Sequence, residues 1–311
     1  MRIFLVAMLA ALAVAPPIAA QRQAPFTIAE TGEGFARLQD AVDAIGGGQG
    51  TIAIAAGRYR QCAVQDHGGI HYRANSPGSA VFSGAACEGK AALVLRGRSA
   101  RVEGLVFEGI AVADRNGAGI RIEEGDLEVL DSVFRDSQQG ILSASDPDAT
   151  IRIDRSTFSG LGRCDEDYSC AHSIYVGGYG ALEVTRSRFE RGRGGHYVKS
   201  RAARVRIADS SFDDSRGSAT NYMIDLPAGA TGLIAGNVFV QGRDKENYSA
   251  FIAVGAEDIR NASAGLEIGG NSAGFVPGLS RASVFVADWT GEPLRLAQNS
   301  LAPGLTPFER R

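Results

Sequence analysis

Leu127-Glu128-Val129-Leu130-Asp131-Ser132-Val133-Phe134 is the stretch that decides the fold, because its design returns at Ile151 to Phe158, Leu182 to Phe189, Val205 to Phe212 and Leu233 to Phe239. Each copy is an alternating apolar strand, then Ser or Asn, one further residue, and Phe. The Ser/Asn position falls at Ser132, Ser156, Ser187, Ser210 and Asn237, with spacings of 24, 31, 23 and 27 residues, and Asn271 and Asn299 continue the column without the Phe. Strands repeating at this period with no helix between them mark a solenoid, in which no coil buries its apolar face alone. Equivalent residues of successive coils then lie about 4.8 Å apart. Phe107, Phe134, Phe158, Phe189, Phe212 and Phe239 are expected to stack as an internal column, with the Ser/Asn side chains satisfying turn backbone beside them. A β-sandwich would place turns every ~8 to 12 residues instead. The fold class is therefore all-β, a parallel β-helix.

The rest of the chain fits that frame. Forty glycines in 311 residues, with 3 Met and 1 Trp, point to many turns and a core of small, β-branched residues. The formal charge of −3 is spread along the chain, so no basic field exists for a phosphate backbone, and nucleic acid is excluded as a partner. Arg2, an apolar run from Ile3 to Val14, and Pro16-Pro17-Ile18-Ala19-Ala20 read as a signal peptide over residues 1–20, too short to span a bilayer. No later segment reaches transmembrane length. The expectation is one exported β-helix domain over 21–311, periplasmic or extracellular and monomeric.

Four cysteines in an oxidising compartment are expected as disulfides. Cys164 and Cys170 can pin a loop, and Cys62 and Cys87 are about one repeat apart, a pairing chosen among three connectivities. Phe35, Leu38, Val42 and Ile45 share one face of a helix predicted over 33–45, an N-terminal lid stopped by Gly46-Gly47-Gly48. Thr51 to Ala55 reads as the first coil strand. Val284 to Trp289 and Leu294 to Leu296 read as the last pair, and 303–311 as a frayed tail.

Three segments carry polar residues that a turn does not require: His172-Ser173-Ile174-Tyr175-Val176, Gly195-His196-Tyr197-Val198-Lys199-Ser200-Arg201 and Tyr222-Met223-Ile224-Asp225-Leu226-Pro227. With Ile174, Val198 and Ile224 as one inward column, strand alternation sends Tyr175, Lys199 and Asp225 outward as a ladder. The same parity sends Ser173, Tyr197 and Met223 outward, and then Gly177, Arg201 and Pro227. His172, His196 and Tyr222 fall inward by parity, or at the corner where the strand begins, where an imidazole can turn to the groove. The bland reading is a surface ion pair and satisfied turn histidines. Two cations, a carboxylate, two phenols and two imidazoles on three consecutive coils favour a site.

At these residues the chain resembles the pectin-lyase-like superfamily of secreted right-handed β-helix proteins. More narrowly it resembles bacterial exported β-helix repeat proteins carrying H-x-I-Y-V, G-H-x-x-K-S-R and Y-x-I-D-L-P, over about Phe26 to Glu257. The resemblance implies the fold, and by analogy a site on the outside of a parallel sheet acting on polysaccharide. The leading expectation is a lyase acting on a uronate chain by β-elimination, with Lys199, His196, Tyr175, His172 and Asp225 catalytic and Arg201, Tyr197 and Tyr222 binding substrate. In one assignment Lys199 is the base, although Asp225 beside it favours the ammonium. In the other Lys199 binds the carboxylate while Tyr175 and His172 or His196 exchange protons. A hydrolase would need a second carboxylate near Asp225, for which Asp213, Asp214 and the run Asp165, Glu166 and Asp167 are candidates. A non-catalytic glycan-binding scaffold is the third reading. No cofactor is required, and the acidic run, like Glu123, Glu124 and Asp126, is set as calcium site against solvated loop.

Overall fold

The computed structural model describes residues 24–165 and 168–311, so the predicted signal peptide lies outside the described residues. Its strands form three long sheets of 12, 10 and 10 strands, here A, B and C, plus one two-stranded pair. Each coil contributes one strand to each sheet in turn. Leu127, for instance, pairs in parallel with Ile151 in sheet A, Phe134 with Phe158 in sheet B, and Ile141 with Ile174 in sheet C.

The Phe column runs through the core as predicted. Ring centroids are 5.1 Å apart for Phe107–Phe134, 4.8 Å for Phe134–Phe158, 4.9 Å for Phe158–Phe189 and 4.8 Å for Phe189–Phe212 and Phe212–Phe239. Phe82, Tyr59 and Phe26 extend it toward the N-terminus. Beside it, each Ser or Asn accepts the backbone N–H of its counterpart on the preceding coil. Ser132 N–H donates to Ser156 Oγ (3.2 Å), Ser156 to Ser187 (3.1 Å), Ser187 to Ser210 (3.0 Å), and the line passes through Asn237 and Asn271 to Asn299. The residue just before it takes a left-handed backbone, with φ of 47° at Asp131, Arg155 and Arg186. A corner that turns this way leaves an N–H pointing along the axis, which a short polar side chain one coil on can accept.

Two expectations at the ends need correction. The helix covers only Leu38–Ile45, burying Leu38, Ala41 and Val42, while Gly34–Phe35 pairs antiparallel with Phe26–Thr27. That strand continues antiparallel onto Gln49–Ile54, so the N-terminal edge of sheet A is occupied by backbone pairing. At the other end, Leu305–Arg310 is a strand in parallel register with Ser283–Asp288, and the tail predicted to fray is the last rung of sheet C. Disulfides join Cys62 to Cys87 and Cys164 to Cys170. Among the described residues no helix is long and apolar enough to cross a membrane.

Candidate functional site

The site lies on the outer face of sheet C, and its register matches the predicted one. Ile174 pairs with Val198 and Val198 with Ile224, all buried in the core, so Tyr175, Lys199 and Asp225 share the outward row. Along the same row the flanking rungs carry Leu142 on one side and Ala253 and Ala287 on the other.

Alternation fails two residues upstream. Tyr197 and Met223 join the core, correcting their outward placement, and Ser173 is also buried. These strands are only three residues long and begin at a corner, so two consecutive side chains can face the axis. Tyr197 is therefore a core residue, not a substrate contact. Its hydroxyl donates to Asp214 Oδ1 (2.7 Å) and accepts from Gly192 N–H (3.1 Å). Asp214 is also buried, bonded to Thr220 and to Lys245 Nζ (3.2 Å), and Asp213 pairs with Arg188. Neither acid reaches the groove. Glu123 is held by Lys90 and Arg96, and Glu166 and Asp167 lie outside the described residues. Among the described residues no group of three or more His, Cys, Asp or Glu side chains is arranged to hold a metal.

With Tyr197 turned in, the residues before it turn out. The His172 and His196 rings stack at 5.0 Å, and His196 stacks on Tyr222 at 5.6 Å. Gly195 makes this stack close enough: at φ 62°, a side chain there would meet the Ala171 carbonyl at 2.2 Å and His172 Nδ1 at 2.7 Å. The His196 backbone N–H instead donates to His172 Nδ1 (3.0 Å). Burial, with His196 and Lys199 nearby, holds His172 well below the usual histidine range, so it is neutral, with its remaining proton on Nε2. It positions His196.

His196 lies between two acceptors, the Tyr222 carbonyl 3.3 Å from Nδ1 and Asp225 Oδ2 3.3 Å from Nε2. A neutral imidazole has one proton for two acceptors. Burial pushes Asp225 up to about 6 despite Lys199, and burial with Lys199 pushes His196 down to about 3. As pH falls through 6 the added proton therefore goes to the carboxyl and not to the imidazole. The other oxygen, Asp225 Oδ1, is buried with no hydrogen-bond partner.

Lys199 Nζ reaches Asp225 Oδ2 at 3.3 Å and Glu257 Oε1 at 2.6 Å. Burial works against the ammonium, but the two carboxylates outweigh it and raise its pKa, so Lys199 stays charged and is unsuited to act as a base. Arg201 donates through Nε to the Tyr175 hydroxyl oxygen (3.1 Å) and through Nη2 to Glu257 Oε2. Glu257 was not legible in the repeat. It sits in the loop after Ala250–Val254 and reaches back two coils, past the Asp225 rung, to bridge both cations. Burial opposes its charge, yet those two cations hold it below the usual carboxylate range. A groove of about 800 Å³ lies elsewhere, on the outer face of sheet A beside His71, Arg101 and Glu128. There His71 pairs with Glu103 and Arg101 with Glu128.

No family model matches the chain, and no curated protein sequence matches it significantly. Among solved structures it is similar to the pectin methylesterase of Aspergillus niger, with a TM-score of 0.50 and 11% identity over 94% of this chain and 92% of that one. The fold is the pectin-lyase-like right-handed β-helix. A second similar structure, the ORF18 protein of Geobacillus virus E2, has a TM-score of 0.44 at 14% identity and covers 85% of this β-helix and 54% of its own chain. At 11% identity the likeness to the methylesterase extends to the β-helix and not to the residues on its outer face.

Proposed function

We propose that this protein is an exported polysaccharide-active enzyme that cleaves a uronate-containing chain by β-elimination on the outer face of sheet C. The observation that carries this reading is a carboxylate, that of Glu257, held by Lys199 and Arg201 next to a phenol and a buried imidazole–carboxyl pair. Elimination requires that the uronate carboxylate be neutralised, the proton on the adjoining carbon removed, and the leaving oxygen protonated. Lys199 and Arg201 meet the first need as permanent cations. Tyr175, half-buried at the rim, accepts from Arg201 and keeps its own O–H to give to the leaving oxygen. The His196–Asp225 pair takes the carbon-bound proton. Two disulfides support an oxidising compartment.

A hydrolase is the second reading, because Asp225 and Glu257 both touch Lys199 and so form a pair of neighbouring carboxylates. Incubation with a panel of acidic and neutral glycans separates the readings. Absorbance from unsaturated uronate ends is expected. Reducing ends without that absorbance would replace the lyase with the hydrolase, and binding with neither product would leave a glycan-binding scaffold.

A further inference from the structure

We infer that Glu257 is a built-in stand-in for the ligand's own carboxylate, so that the Lys199–Arg201 subsite admits a sugar acid by exchange and stays shut to neutral or esterified sugars. The inference rests on the reading of this face as a uronate site. Three observations lead to it. First, the cations are two residues apart, Lys199 in the strand Val198–Ser200 and Arg201 just after it, whereas the acid that pairs with them comes from a loop two coils later. The rung between them carries Asp225 and the next carries Ala253, and the Glu257 backbone N–H donates to the Pro227 carbonyl at 3.1 Å. Second, the two carboxylate oxygens are divided, Oε1 to Lys199 Nζ at 2.6 Å and Oε2 to Arg201 Nη2. A uronate carboxylate at the same place would make the same two contacts. Third, the exposures are lopsided: the Glu257 side chain is 43% exposed, while Lys199 is 11% and Arg201 21% exposed. Glu257 can leave toward water at little cost, but the cations cannot follow it. A ligand that displaced it without bringing a negative charge would strand two half-desolvated cations.

On the same rungs, Asp225 Oδ1 is buried with no hydrogen-bond partner among the described residues. A ligand hydroxyl entering as Glu257 leaves would give it a donor.

The test is calorimetric titration of galacturonate and glucuronate trimers, each as free acid and as methyl ester, at low salt. Wild-type protein is expected to bind one free acid and neither ester. Glu257→Ala, on an exposed loop, is expected to bind that acid roughly tenfold more tightly, a change of about 1.4 kcal/mol. Removing Arg201 as well, in Glu257→Ala/Arg201→Ala, is expected to abolish the gain. Glu257→Gln should behave as Glu257→Ala, and thermal melts of all variants check folding. Unchanged or weaker acid binding by folded Glu257→Ala, or equal binding of acid and ester by wild type, overturns the inference, as does binding of no acid by either protein. Absence of unsaturated product from wild type would instead sink the lyase reading and leave this titration to stand on its own.

Discussion

Two ladders of charged side chains climb this β-helix, and they differ in how far they are removed from water. On sheet A, Arg101, Glu128, Arg152, Glu183 and Arg206 occupy one outward row, alternating in sign rung by rung. Arg101 pairs with Glu128 at 2.9 Å and Arg152 with Glu183 at 3.6 Å, every one of these side chains at least 40% exposed. Such cross-strand pairs fix register and solubility and contribute little else. On sheet C, Lys199 is 11% and Asp225 3% exposed, an imidazole nitrogen lies 3.3 Å from the carboxyl, and one oxygen is left without a partner among the described residues. Burying charge in that way is costly, so equal residue types on one fold are solvated on one face and desolvated on the other.

The largest expected effect comes from removing one member of each ladder at pH 8. Lys199→Ala leaves Asp225 buried and uncompensated and is expected to lower unfolding free energy by about 3 kcal/mol in denaturant melts, against less than about 1 kcal/mol for Arg101→Ala. Equal losses would mean that sheet C is solvated after all.

Next in size is a pH effect that the sheet C pair conceals in the intact protein. Asp225 is raised from 3.8 to about 6, so its contribution to stability is complete below pH 3.8 and is lost as pH rises through 6. His196 is lowered from 6.5 to about 3, so its contribution is complete above pH 6.5 and is lost as pH falls toward 3. Between about pH 4 and 6 the two slopes oppose each other. Relative to wild type, His196→Ala should lose stability as pH rises across this window and Asp225→Asn should gain it. Parallel curves for all three proteins would contradict the opposed shifts of Asp225 and His196.

The smallest effect belongs to sheet A. Glu128→Gln is expected to change stability by no more than about 0.5 kcal/mol, and by less in 1 M salt, where screening acts over roughly 3 Å.

The contrast also marks what the sequence discloses. Phe134, Phe158, Phe189 and the Ser/Asn line repeat because every coil meets the same neighbours, so periodicity reports them. Tyr175, Lys199 and Asp225 were legible for the same reason, since Ile174, Val198 and Ile224 fix their rungs. Tyr197 was misplaced because period-two alternation holds only within a strand, and a three-residue strand at a corner turns two neighbours inward. Glu257 was missed because its reach depends on a loop's path over two coils, which leaves no periodic trace. The tail over 303–311 reads as frayed because chain ends are often poorly tied down, yet Leu305–Arg310 pairs with the open edge of sheet C.

The most direct test is a crystal structure of the protein soaked with a uronate trisaccharide that it binds. The account predicts a sugar carboxylate between Lys199 Nζ and Arg201 Nη2, with Glu257 turned to solvent and Tyr175 facing the glycosidic oxygen. Sugar lying in the groove of sheet A beside His71 and Arg101, with Glu257 still bridging its two cations, would contradict it.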